Sequence, residues 1–156
     1  MKISDILEEK FAVVNLPGKT KDEIINALVD LVSNSPKVLD KEKLRTAIFE
    51  REKIMSTGVG NGFAIPHGKT DAVADTVAAI GITAQPIDYQ SLDDKPVRLV
   101  FLLVGKDNLV GPHIKLLSRI SRLMNKEDFR NKLLGIQTSR EIIEAIKHEE
   151  ASYSEM

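Results

Sequence analysis

A chain of 156 residues, 42% hydrophobic and 29% charged, has the make-up of one globular domain with a real core. Its formal net charge of −1 gives no general attraction to nucleic acid or to an anionic membrane. The absence of cysteine removes disulfides, thiolate metal sites and thiol nucleophiles, and fits a reducing compartment.

The N-terminus, MKISDILEEK, is too acidic and too poor in apolar run for a signal peptide. The longest apolar stretch, LVFLLV (99–104), is far shorter than the about 20 residues a membrane span needs. The expectation is a soluble, cytoplasmic protein. Ser4 is placed to cap a short helix ahead of FAVVNL (11–16), a strand-like run closed by Pro17–Gly18. TKDEIINALVDLVSNSP reads as a helix: Thr20 and Glu23 make a capping box, and Ile24, Leu28 and Leu31 share a face. Pro36 lies beyond its end. Asp40 caps a second helix that runs to about Met55.

A glycine loop, GVGNGFAIPHGKT (58–70), comes next. TVAAIGIT (76–83) and VRLVFLLV (97–104) are strands, the second apolar enough to be covered on both faces. AQPIDYQSLDDKP between them is a turn-rich connection. GPHIKLLSRISRLMNK (111–126) is a helix, EDFRNKLLG a shorter one closed by Gly135, and TSREIIEAIKHEE the last, with Thr138 and Glu141 as its capping box. Hairpin signals are few, there is no repeat and no interdomain linker, and the mixture points to α/β layering in one domain over residues 1–150. The tail from 151 to 156, ASYSEM, is expected to be disordered.

Two helices hold polar residues on apolar faces. With about 100° per residue, Ala47, Ile48, Ile54 and Met55 gather on the side of Leu44, and Arg51 falls within that stripe. A guanidinium there needs an anion, or it snorkels to water along its own stem. In the 111–126 helix, Leu116, Leu117, Ile120, Leu123 and Met124 cluster around His113, while Lys115, Arg119 and Arg122 form the solvated face. His113 is then either a packed residue with one satisfied hydrogen bond, or a donor to an anion near a helix N-terminus.

Several chemistries fit the glycine loop badly. A phosphate loop of the Walker type would need a glycine where Phe63 stands, and Pro66 lacks the N–H such a cradle uses. A dinucleotide fingerprint fails because a strand, not a helix, follows. His67, Asp71 and His113 offer no close-spaced metal-ligand pair. No G-x-S-x-G elbow is present. A phosphorylated histidine fits better: imidazole is both nucleophile and leaving group near neutral pH, and Arg51 and His113 supply donors for phosphoryl oxygens.

REKIMSTGVGNGFAIPHGK (51–69) resembles the active-site region of the type-2 enzyme IIA domains of the bacterial phosphoenolpyruvate-dependent phosphotransferase system. PVRLVFLLVG followed by HIKLLSRISRLM (113–124) resembles that family's second signature. The resemblance implies a single-domain α/β fold, a mixed and mostly parallel sheet with helices on both faces. It implies that His67 takes phosphate from the phosphocarrier HPr and gives it to a IIB partner. It also implies that His113 stabilises the phosphoryl group and Arg51 neutralises it, with no metal or cofactor. Asn61 and Gly68–Lys69 look more like the nitrogen-regulatory subgroup, whose phosphorylation state controls binding to regulatory proteins. Sugar uptake of the fructose or mannitol type remains the main expectation, with regulation as the alternative. Lys69 reads as a rim or plain surface lysine and His148 as a solvated surface residue.

Overall fold

The structure is a computed structural model and describes residues 1–153. Its helices are α1 (Ile3–Ile6), α2 (Lys21–Val32), α3 (Lys41–Ile54), α4 (Val110–Met124), α5 (Glu127–Leu134) and α6 (Ser139–Ala151). Its strands are β1 (Ala12–Leu16), β2 (Gly58–Gly60), β3 (Phe63–Ala64), β4 (His67–Lys69), β5 (Val77–Ile87) and β6 (Val97–Gly105). The strands form one sheet in the order β1-β5-β6-β3-β2, with β4 also on β6. The pairings β1–β5, β3–β6 and β4–β6 are parallel, and β5–β6 and β2–β3 antiparallel. This is the mixed, mostly parallel α/β sheet that the sequence led us to expect.

The unbroken apolar run of β6 has a simple cause: side chains alternate across a sheet covered twice. Leu99, Phe101 and Leu103 join one core with residues of α1, α4, α5 and α6. Val100, Leu102 and Val104 join the other with residues of α2 and α3. The helix starts follow their caps. Thr20 Oγ1 accepts from Glu23 N (3.1 Å), Asp40 Oδ1 from Lys43 N (3.1 Å) and Thr138 Oγ1 from Glu141 N (3.2 Å). Each such cap stabilises by about 1 kcal/mol. The carboxylate of Glu23 reaches Lys19 N (3.0 Å), one residue ahead of the cap. Ile24 and Leu28 are fully buried; Leu31 is only partly so, because the buried face runs on through Val29 and Val32.

Several expectations are corrected. Ser4 caps nothing. The cap position of α1 is Lys2, and the free N–H groups of Ile3 and Ser4 donate to the carboxylate of Glu150 (2.6 and 2.9 Å). Asp5 Oδ2 accepts locally from Lys2 N (2.8 Å), but the cap on Ile3 N and Ser4 N comes from the far end of the described fold, which local reading cannot see. The glycine loop is a tight hairpin: β2 pairs β3, and Asn61 (φ 60°) and Gly62 (φ 80°) turn the corner in the left-handed region. Asn-Gly is a strong hairpin signal. β5 takes in AQPI from the expected connection, since Ile87 pairs with Val97 and is buried. Of the tail expected to be disordered, Ala151 still belongs to α6, and the Tyr153 ring lies under Lys126 Nζ (4.5 Å) and packs on the core. Residues 154–156 lie outside the described residues.

One feature of the sheet positions the site. Phe63 lies opposite Leu99 and His67 opposite Leu103, so β3 and β4 keep one register along β6. They are two pieces of a single strand. Pro66 interrupts it by withholding an N–H, while its carbonyl still accepts from Leu103 N (3.0 Å).

Candidate functional site

His67 opens β4 and is half-buried. The carbonyls of Gly62 and Pro66 point towards β6, accepting from Leu99 N (3.2 Å) and Leu103 N (3.0 Å). The carbonyl of Ile65 has the opposite sense and meets the His67 ring, with Nδ1 at 2.7 Å. A carbonyl only accepts, so this bond puts the imidazole proton on Nδ1 and leaves the lone pair on Nε2. Burial pushes the pKa of His67 below the ordinary histidine value. The nearby Arg51 charge adds to that shift, while the Ile65 carbonyl and the Glu52 carboxylate oppose it. The ring is therefore neutral at pH 7.

His113 sits in the first turn of α4, just after β6 ends at Gly105. It is 4% exposed, and its ring centre is 5.8 Å from that of His67 at an interplanar angle of 50°. Neither of its ring nitrogens has a hydrogen-bond partner, though both are buried. Such groups are rare and costly in a folded protein. Burial, then proximity to His67 and Lys69, pushes its pKa down to about 4. His113 is thus neutral too, with one N–H to give. The ring is held against bare backbone: a Cβ on Gly105 would fall 2.6 Å from His113 Nδ1.

Arg51, in the last turn of α3, is half-buried and donates from Nη1 to the carbonyl of Met55 (2.8 Å). It does not lie on a buried apolar stripe, because Ile54 and Met55 are 79% and 57% exposed. The buried positions of α3 are Leu44, Ile48 and Glu52, one residue round from the expected line. Sequence reasoning passed over Glu52, although its four-residue spacing from Ile48 was a visible signal. It also passed over Gly105, whose role is set by tertiary contact alone.

Arg51, His67, Lys69 and His113 line one open cleft of about 450 Å³, with Ile54 and Ile114 at its edge. The three expected site residues therefore meet in one place. Lys69 is an exposed rim residue of that cleft, and His148 lies on the surface away from it. A depression of similar size, about 460 Å³, lies between α4 and the chain ends and holds no histidine. Chemically the cleft offers a neutral nucleophilic nitrogen, an unsatisfied neutral donor beside it, and two cations at the rim. That set suits transfer of a compact dianion such as a phosphoryl group.

Comparison with known proteins gives a consistent result. The profile of the family "Phosphoenolpyruvate-dependent sugar phosphotransferase system, EIIA 2" matches residues 5–149. A fructose-specific EIIA component from Haloferax volcanii is 36% identical over 90% of this chain and 91% of its own length. A fructose-specific EIIABC component from Bacillus subtilis is 35% identical over 94% of this chain, which spans only 23% of that longer protein. Among solved structures, the nitrogen regulatory protein IIA-Ntr from Neisseria meningitidis has a TM-score of 0.86 and 28% identity, over 92% of this chain and 98% of its own. IIA mannitol from Escherichia coli, at a TM-score of 0.76 and 21% identity over 89% of this chain and 97% of its own, shares the fold.

Proposed function

The chain belongs to the type-2 enzyme IIA family of the phosphoenolpyruvate-dependent sugar phosphotransferase system, and from that premise we propose that His67 is its phosphoryl carrier, accepting on Nε2 from HPr and donating to a IIB partner. The observation that carries this reading is the bond from His67 Nδ1 to the Ile65 carbonyl. In the forward step the phosphorus–nitrogen bond of phospho-HPr breaks as a bond from Nε2 to phosphorus forms. His67 gives up no proton. The Nδ1–H stays on the Ile65 carbonyl, which stabilises the ring as it gains positive charge. The return step to the next acceptor reverses this without a proton transfer at His67. That suits a group held only in passage.

His113 gives its N–H to a phosphoryl oxygen, so its buried nitrogen gains the partner it lacks. Arg51 can exchange the Met55 carbonyl for the same dianion, and Lys69 adds charge at the rim. The test is incubation with phosphoenolpyruvate, enzyme I and HPr. One acid-labile, base-stable adduct is expected, with an Nε2-phosphohistidine signature by NMR. Label on the His67→Ala variant would sink the assignment.

Two roles share this chemistry. Transport of the fructose type is supported by the sequence identities to the fructose-specific relatives. Regulation, in which the phosphorylation state governs binding to other proteins, is supported by the shape match to the nitrogen regulatory protein. Transfer from the labelled protein to purified fructose-type IIB separates them, since a purely regulatory protein leaves that acceptor unlabelled.

A further inference from the structure

Behind His67 lies a buried polar cluster that the transfer chemistry does not touch. Glu52, 7% exposed, is the only carboxylate on the covered face of α3. Its Oε2 accepts from Thr57 N (2.8 Å) and from Lys21 Nζ (2.8 Å). Its Oε1 accepts from the Thr57 hydroxyl and from Tyr89 OH (3.3 Å). Lys21 Nζ also stands 4.8 Å above the Tyr89 ring, which fixes the ammonium from a second side. A buried ion pair of this kind is a poor source of stability, since an apolar pair of like volume does as well. Its value lies in what it orients.

The bonds continue in one direction. Thr57, held at its N–H by Glu52, gives its carbonyl to Ile65 N (3.1 Å). Ile65, held at its N–H, gives its carbonyl to His67 Nδ1 (2.7 Å). Pro66 between them has a fixed φ, which limits how the Ile65 carbonyl and the His67 ring can move apart. We propose that Glu52 is a positioning residue for phosphoryl acceptance: through Thr57 and Ile65 it holds the carbonyl that keeps the His67 proton on Nδ1 and leaves Nε2 as the nucleophile. Without that carbonyl in place the ring is free to take the other tautomer, with a proton on the nitrogen that has to attack. The inference rests on His67 being the carrier.

The test uses the full chain, labelled with ¹⁵N in histidine, and reads the His67 tautomer by NMR without any phosphate donor. Three proteins are compared: wild type, Glu52→Gln, and Lys21→Met/Glu52→Met. The double variant removes the ion pair as a unit and leaves no unpaired buried charge, so it is chosen to fold. Wild type is expected as Nδ1–H. Glu52→Gln keeps an acceptor for Thr57 N and is expected to stay close to wild type. In the double variant the His67 signals shift towards Nε2–H. The saturating rate of transfer from phospho-HPr falls by about tenfold or more, with an unchanged half-saturating HPr concentration. A folded double variant with wild-type tautomer and rate overturns the proposal. So does a wild-type protein found in the Nε2–H form, whatever the variants do. Wild type that takes no phosphate, yet shows the tautomer shift in the double variant, removes the carrier reading and leaves the relay of bonds standing.

Discussion

His113 is a residue whose burial and unbonded nitrogens make little sense until a phosphoryl oxygen is placed beside it. One N–H bonded to a charged group is worth about 1.5–3 kcal/mol, so His113→Ala is expected to slow transfer from phospho-HPr about ten- to a hundredfold. His113→Gln keeps a donor and should retain most of the rate. Equal rapid-quench rates for wild type and His113→Ala would reduce it to a packing residue. Gly105→Ala tests the same ring from behind. Its backbone does not require glycine through a positive φ, but the added Cβ would displace the imidazole. A loss of rate with the adduct still on His67 is expected; a normal rate would show that the ring position is not critical. Arg51→Met removes the rim cation and an exposed hydrogen bond. It should lower the transfer rate with little change in melting temperature, and the reverse pattern would make Arg51 a helix-end residue only.

At the level of elements, the ties between distant segments matter more than any one helix. Glu150, 5% exposed, accepts from two N–H groups at the start of α1. Removing it strands one buried donor, Ile3 N, at about 1–3 kcal/mol, and one half-buried donor, Ser4 N, at less. Glu150→Ala should lower the denaturant midpoint while leaving transfer intact in the folded protein. An unchanged midpoint would mean that water replaces the carboxylate at no cost. Helix caps and the β6 run were legible in the sequence because their causes are local: Thr20, Asp40 and Thr138 act within three residues. The start of α1 was only partly legible, because Asp5 caps Lys2 N locally while Ile3 N and Ser4 N are capped by Glu150. The corner at Asn61–Gly62 was legible by its chemistry, yet the glycines around it read as a loop. In the site, the motif led to the cleft that His67, His113 and Arg51 line, and the face argument held for His113 but not for Arg51, whose expected stripe is exposed at Ile54 and Met55. The reason for their arrangement was not, because it resides in a carbonyl, a glycine and a buried carboxylate.

For the whole molecule the two neutral histidines impose a pH dependence. His113 has a pKa near 4 in the folded chain against an ordinary 6.5. Between those values the unfolded chain binds the extra proton, so stability falls as pH drops through that window. From pH 7 to pH 5 the loss from His113 is about 2 kcal/mol, and His67 shifts in the same direction. Denaturant titrations should therefore show a smaller acid-side loss for His113→Gln than for wild type. Parallel losses in the two proteins would mean that the buried ring protonates freely. The contact of α1 with Glu150 has another consequence. It brings the two ends of the described fold together at a depression whose wall includes Ile114, and Ile114 also borders the His67 cleft. A partner domain tethered at either end would start its search from the same doorstep. A short linker would then hold that partner at an effective concentration of about millimolar near the His67 cleft, so that a fused acceptor would need little intrinsic affinity to be served first.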